Sequence, residues 1–118
     1  MKIFLDTNAL MAITEFKLDI FSELSDFPYQ LQVLSGTIDE LEKIKKEQRG
    51  KYKRAAQLAL SLVKAKKIKI VNSSGNVDHL LVKKSKHNLV LTQDIALKRR
   101  LTKPYLTIRQ KKKIILVK

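Results

Sequence analysis

The chain contains no cysteine and no tryptophan, and it has only three glycines and two prolines. Without cysteine it can form no disulfide bond, no thiolate zinc site and no cysteine nucleophile. Its glycines are scattered, so no glycine-rich loop is present to cradle a phosphate. No apolar run approaches the roughly 20 residues that a membrane helix requires, and the run 1–5 is too short for a signal peptide. We therefore predict a cytoplasmic protein without a membrane partner.

Acids are also scarce, and their scarcity is uneven along the chain. The first 50 residues hold nine acids and six Lys or Arg, whereas the last 68 hold two acids and nineteen Lys or Arg. The formal net charge is +14, and such a surface favours nucleic acid or an anionic membrane. A lysine-rich proteome would also raise the lysine content, but it should not spare the first 50 residues. The distribution favours nucleic acid and makes Asp78 and Asp94 conspicuous.

Short apolar runs alternate with helical patterns along the chain. We predict strands at 2–5, 31–34, 68–71, 88–91 and 105–108, and either a last strand or a docked tail at 114–117. Helices are predicted at 9–13, 19–24, 37–47, 52–65, 77–86 and 93–101. The third follows a turn at Ser35 and Gly36 and opens with a capping box from Thr37 to Glu40, and the last is capped by Thr92.

This alternation predicts the fold class. Strands that are continuous apolar runs separated by helices are typical of a parallel sheet covered on both faces. We therefore expect a three-layer α/β/α fold with a central parallel sheet of about five strands. The length suits a single domain over residues 1–118.

Four acids follow successive predicted strands. Asp6 follows the first strand, and Glu40, Asp78 and Asp94 follow the next three, each in the first turn of a helix. Because ligands of such sheets bind beyond the carboxyl ends of the strands, we expect these side chains at one edge. Crowded carboxylates repel one another, and Mg²⁺ or Mn²⁺, which prefer oxygen ligands, would remove that repulsion. A bound cation can activate water and stabilise a phosphate oxygen, which suits phosphodiester hydrolysis.

Each acid also has a purely structural interpretation. Asp6 could form an Asx turn after its strand. Glu40 could serve only the capping box, and Asp78 and Asp94 could complement helix dipoles. Taken together, these separate roles leave unexplained why the four acids mark four successive strand ends.

The segments that carry the acids resemble the motifs of PIN-domain ribonucleases. Residues 4–8, Phe-Leu-Asp-Thr-Asn, are similar to the opening motif, and residues 37–44 are similar to the second, whose acid corresponds to Glu40. Residues 77–81 resemble the third motif, and residues 91–94 with 97–101 resemble the fourth. The resemblance spans residue 2 to about residue 110, and four motifs in order are far more specific than one.

The resemblance implies a parallel sheet flanked by helices and metal-dependent cleavage of RNA. By resemblance, four acids would be catalytic groups and ligands of Mg²⁺ or Mn²⁺: Asp6, Glu40, Asp78 and Asp94. Thr92 could orient a ligand or the attacking water, with its helix cap as an equal alternative, and Asn8 could support the site or simply begin a helix. His79 and Ala96 stand where relatives carry further acids, which puts a second metal ion in doubt.

Within the family, segments 38–43 and 106–111 are most similar to archaeal members related to ribosomal-RNA processing nucleases. Toxin members of toxin–antitoxin pairs share the same fold and acids. We therefore predict a metal-dependent endoribonuclease, with ribosomal-RNA processing and a toxin role as the two alternatives. An antitoxin or ribosome-assembly partner, and a homodimer through the apolar stretch 16–24, are left open.

Basic side chains near the acids are candidates for contact with RNA phosphates. Six are predicted to bind the backbone: Lys98, Arg99, Arg100, Lys51, Lys53 and Arg54. A solvated helix face is the alternative for both groups, and the run 111–113 is interpreted as a general electrostatic patch. Aromatic residues are few and are not interleaved with the basic runs, so we expect recognition of backbone and shape rather than base stacking.

Two other functions compete with cleavage. A non-catalytic RNA-binding module would carry the same charge but bind metal weakly. A phosphohydrolase or receiver-type domain would use Asp6 as a nucleophile. The haloacid-dehalogenase pattern places a second aspartate two residues further on, and Asn8 occupies that position, which argues against this class.

Overall fold

The structure, a computed structural model, describes residues 1–24 and 27–118 of the chain. Its strands are β1 (Lys2–Leu5), β2 (Gln30–Leu34), β3 (Lys69–Val71), β4 (Leu89–Leu91), β5 (Tyr105–Arg109) and β6 (Lys113–Val117). Its helices are α1 (Thr7–Glu15), α2 (Ile20–Glu23), α3 (Ser35–Glu47), α4 (Lys51–Ala65), α5 (Val77–Lys84) and α6 (Ile95–Arg100). None of the helices within the described ranges has the length and apolarity needed to cross a bilayer.

The chain begins in the middle of the sheet and builds outward in both directions. The strand order is β3-β2-β1-β4-β5-β6, with every neighbouring pair parallel except β5 and β6, which are antiparallel. The predicted parallel α/β sheet is confirmed, and 114–117 is a strand rather than a docked tail. The sheet thus has six strands rather than about five. The strand order reverses between β1 and β4, and ligands of such sheets bind at that point.

Two apolar layers hold the helices against the sheet, and β1 contributes to both. Ile3 and Leu5 pack into the layer that also contains buried residues of α1, α3 and α4. Phe4 points to the opposite face, where it packs with Leu81 of α5 and Leu97 of α6. Because successive side chains of a strand point to opposite faces, the three consecutive apolar residues 3–5 must be covered on both sides of the sheet. The carboxyl end of β1, from which Asp6 follows, is therefore packed on both faces of the sheet.

The start of α3 differs from the predicted one. The helix begins at Ser35, directly after β2, so the predicted turn at Ser35 and Gly36 and the capping box from Thr37 are wrong. Thr37 lies inside the helix with its hydroxyl fully buried and, within the described chain, without a hydrogen-bond partner. The amide of Gly36 instead donates to the Ser73 hydroxyl at 3.1 Å. A partner from a distant segment therefore replaces the local cap.

Candidate active site

The four predicted acids all follow carboxyl ends of parallel strands. Asp6 comes directly after β1 and is the N-cap of α1. Glu40 lies in the second turn of α3 rather than its first, because that helix starts earlier than predicted. Asp78 is in the first turn of α5, and Asp94 is the N-cap of α6. The topology thus brings all four to the same edge of the sheet.

Asp6 is the buried member of the set, with only 5% of its surface exposed. One carboxylate oxygen, Oδ1, accepts a hydrogen bond from the Ala9 amide at 2.6 Å, and the other, Oδ2, accepts one from the Thr92 hydroxyl. The pKa of Asp6 is raised from 3.8 to about 6. Burial is the largest cause, the negative charges of Asp94 and Asp78 also raise the pKa, and the two hydrogen bonds lower it. A full negative charge is therefore costly here unless a cation compensates it.

Thr92 joins two of the acids. Its side chain is fully buried, and its hydroxyl donates to Asp6 Oδ2 while accepting from the Asp94 amide at 3.0 Å. It is not the predicted helix cap, since Asp94 takes that place and accepts from the Leu97 amide at 3.2 Å. Of the two roles predicted for Thr92, that of helix cap is thus excluded. Its hydroxyl instead links the segment after β1 to the segment after β4.

Glu40 is held by a residue that the sequence reasoning did not select. The Thr7 hydroxyl donates to Glu40 Oε1 at 2.7 Å, across 33 positions of the chain. Thr7 lies between Asp6 and Asn8 in the opening motif, and that position is the feature from which its role could have been found. Asn8 itself is exposed in the first turn of α1, which agrees with its alternative role of beginning a helix.

The hydroxyl groups of Ser35 and Ser73 link the helix that carries Glu40 to the loop that precedes the helix of Asp78. The Ser73 amide donates to Ser35 Oγ at 2.8 Å, and the two hydroxyl oxygens lie 3.1 Å apart. The contact ties the loop after β3 to the first residue of α3. Gly36 allows this approach, because a Cβ at that position would lie 2.6 Å from Val77 Cγ2.

Gly36→Ala should therefore destabilise the protein. Overpacking against Val77 costs about 1–3 kcal/mol, which exceeds the gain of up to about 1 kcal/mol from alanine in a helix. Denaturant unfolding of Gly36→Ala, Val77→Ala and the double variant measures the coupling between the two sites. The double variant should lose less unfolding free energy than the two single variants lose in total. Strict additivity would contradict the close approach.

The acids approach one another without forming a closed ligand set. Among residues 1–24 and 27–118, no three His, Cys, Asp or Glu side chains stand close enough to hold one metal ion. Asp94 and Asp78 nonetheless lie near enough to Asp6 to act on its pKa. Asp78 and Glu40 are exposed side chains, and the hydrogen bond from the Thr7 hydroxyl holds Glu40. Convergence of the four acids on one cation stays a prediction.

The predicted RNA-binding residues lie on two helices. Lys98, Arg99 and Arg100 form the last turn of α6, with the two arginines exposed. At the start of α4, Lys53 and Arg54 are exposed, and Lys51 forms a salt bridge with Glu15 at 3.1 Å. That salt bridge raises the pKa of Lys51. The pairing partly occupies the Lys51 ammonium, so Lys53 and Arg54 are the freer cations of this group.

The sequence of this chain is similar to those of known proteins. A family model described as a PIN like domain matches residues 3–111. Ribonuclease VapC9 of Archaeoglobus fulgidus is 30% identical over 96 residues, which cover 80% of this chain and 71% of that protein. Ribonuclease VapC4 of Methanocaldococcus jannaschii is 31% identical over 121 aligned positions, covering 94% of this chain and 92% of that protein.

The fold has a counterpart among solved structures. A structure described as the PIN domain endonuclease Utp24 superposes with a TM-score of 0.75 and 22% identity, covering 98% of this chain and 90% of that one. At that identity the similarity concerns the fold alone. The family match over nearly the whole chain and the two relatives at about 30% identity lead to one conclusion: this chain belongs to the PIN-domain nuclease family.

Proposed function

We propose that this chain is a metal-dependent endoribonuclease that hydrolyses RNA phosphodiester bonds at the edge where Asp6, Glu40, Asp78 and Asp94 lie. The observation that carries the proposal is the buried carboxylate of Asp6 beside the point where the strand order reverses, with Asp78 and Asp94 near enough for their charges to raise its pKa. The names of the two relatives, both ribonucleases, support the same activity.

The donor set fits Mg²⁺ or Mn²⁺. All four proposed ligands are carboxylates, and hard divalent cations prefer oxygen donors. The raised pKa of Asp6 means that a positive charge at this edge is favourable. His79 and Ala96 stand where further carboxylates would complete a second site, so the chain's own donors support one ion. When bound, the ion would lower the pKa of a water molecule and neutralise charge on the phosphate.

The chain's own residues then have separate roles. Thr92 holds Asp6 in one rotamer, and Thr7 restrains Glu40 by its hydrogen bond. Partners of this kind orient ligands, and their loss typically costs about 10- to 100-fold in metal affinity or activity. Exposed cations of α6 and α4 would hold the RNA backbone, because phosphate contacts position a nucleic acid without reading its sequence.

Metal removal is the direct test. Structured RNA should be cleaved in the presence of Mg²⁺ or Mn²⁺, uncleaved in EDTA, and cleaved again when excess Mn²⁺ is restored. Saturating Mn²⁺ should also raise the melting temperature of the wild type, because a ligand that binds only the folded state stabilises it. Cleavage that persists in EDTA would contradict the proposal. Absence of both cleavage and saturable Mn²⁺ binding would favour a non-catalytic RNA-binding module.

The cellular role has two candidates. Both curated relatives carry the VapC name, which favours a toxin role and hence an antitoxin partner. The similarity of segments 38–43 and 106–111 to ribosomal-RNA processing members favours the other role, with a ribosome-assembly partner. Sequencing the RNA that copurifies with an Asp94→Asn variant separates them, because only the second role predicts enrichment of precursor ribosomal RNA. Gel filtration during the same preparation tests the homodimer.

A further inference from the structure

The turn between β5 and β6 is the most concentrated cationic feature at the acid edge. We call residues 109–113 the hairpin tip. Four of its five residues are cations, all exposed: Arg109, Lys111, Lys112 and Lys113. Within the described part of the chain the one salt bridge joins Lys51 to Glu15, so no carboxylate neutralises the tip. The sequence alone suggested only a general patch here.

The strand register places the tip at the same edge of the sheet as the acids. Leu5, Leu91 and Leu106 lie in one row across β1, β4 and β5. The strands β1 and β4 end in that row, and Asp6 follows it directly. β5 continues for three residues beyond the row before it turns, and three extended residues rise roughly 10 Å. The tip therefore projects past the strand ends from which the catalytic carboxylates emerge.

The side chain of Gln93 links β5, the first strand of the hairpin, to the loop between Thr92 and Asp94. Gln93, between Thr92 and Asp94, accepts from the Ile108 amide at 2.6 Å and from the Thr107 hydroxyl at 2.7 Å. Its amide nitrogen donates to the Ile108 carbonyl at 3.2 Å. The strand that leads into the tip is thus fixed relative to the loop that carries Asp94. Such a fixed position reduces the entropy lost when the tip binds a ligand.

We propose that the hairpin tip binds the phosphate backbone of the RNA strand beside the scissile bond and holds it against the acid edge. The inference rests on the proposed function and names the surface that positions the substrate. Phosphates approaching four carboxylates meet electrostatic repulsion, and exposed cations at the same edge of the sheet offset it. Contacts of this kind fix the register of the strand without selecting a base.

A triple variant with a matched control tests the proposal. Lys111, Lys112 and Lys113 are changed to glutamine in the test variant, and Lys66, Lys67 and Lys69 in the control. The control residues lie at the amino end of β3, on the opposite edge of the sheet. Both triples remove three charges, and each contains one lysine over a phenylalanine ring, at 5.5 Å for Lys111 and 5.1 Å for Lys66. Each also contains one residue with positive φ.

The measurement is the affinity for a short uridine-rich RNA in EDTA at several salt concentrations. Three lost phosphate contacts should flatten the slope of log affinity against log salt by about 2, since each contributes about 0.7 for a single strand. The control should keep at least most of the wild-type slope. In cleavage assays with Mn²⁺ the tip variant should show its loss mainly in KM. If the salt slope flattens equally in both triple variants, the inference is overturned, because the effect then depends on net charge and not on the position of the lysines.

Failure of the inference can be told apart from failure of the proposed function. Binding in EDTA requires no cleavage, so the slopes decide the role of the tip even if the protein is inactive. If the wild type cleaves RNA and the tip variant binds RNA as well as the wild type does, the inference about the tip is wrong and the proposed function stands. If the triple variant does not fold, the single charge reversal Lys112→Glu replaces it. That change should weaken binding more than Lys67→Glu, and equal effects would again overturn the inference.

Discussion

Asp6→Asn should reduce RNA cleavage by more than about a hundredfold and at the same time stabilise the metal-free protein. Loss of a group that merely orients a metal ligand costs about 10- to 100-fold, so loss of Asp6, a proposed ligand, should cost more. The amide can still accept from the Ala9 amide, which preserves the cap of α1. The variant should therefore fold with its site intact in shape but changed in charge.

The stabilisation follows from the pKa of Asp6. Burial and the neighbouring acids raise this pKa from 3.8 to about 6, so the folded protein binds the proton more tightly than the unfolded chain. The contribution of Asp6 to stability is full below pH 3.8 and is lost as pH rises towards about 6. A shift of about two units corresponds to about 3 kcal/mol at neutral pH. Asparagine carries no charge and avoids this cost.

Thermal unfolding in EDTA across pH measures the effect. The melting temperature of Asp6→Asn should exceed that of the wild type at pH 7, and the difference should vanish near pH 4. Asp39→Asn is the matched control, because Asp39 is an exposed acid of α3, and it should leave cleavage and melting temperature close to wild type. A variant that remains active, or that is less stable at pH 7 in EDTA, would refute the assignment of Asp6.

Thr92→Val should lower cleavage by about 10- to 100-fold, because it removes the group that orients Asp6 and supports the loop before Asp94. Valine has nearly the shape of threonine, so the fully buried site stays filled. The variant leaves one oxygen of Asp6 and the Asp94 amide without their partner, which costs about 1–3 kcal/mol of stability.

Thr92→Ser separates orientation from packing. Serine keeps the hydroxyl and loses the methyl group, so it should retain most of the activity while losing some stability. Titration with Mn²⁺ adds a second measurement: the concentration for half-maximal activity should rise in the valine variant and stay near wild type in the serine variant. If valine cleaves as well as serine, the bridge between Asp6 and Asp94 has no catalytic role.

Local patterns in the chain were sufficient for the architecture. The runs at 2–5 and 88–91 predict buried strands because every residue after the first is apolar, and the structure contains strands there. Placing an acid after each of four strands required only the order of elements along the chain. The start of α3 was missed because the amide of Gly36 is satisfied by Ser73, a partner 37 positions away that no local pattern can indicate.

Periodicity and the order of strands along the chain are enough to predict the layered, mostly parallel fold and the edge on which the acids lie. The donor that each carboxylate meets could be known only from the folded protein. The Thr92 bond to Asp6 spans 86 positions, and the height of the hairpin tip depends on the pairing of β5 with β4. Such contacts are consequences of strand register and side-chain packing, which arise only when distant segments meet.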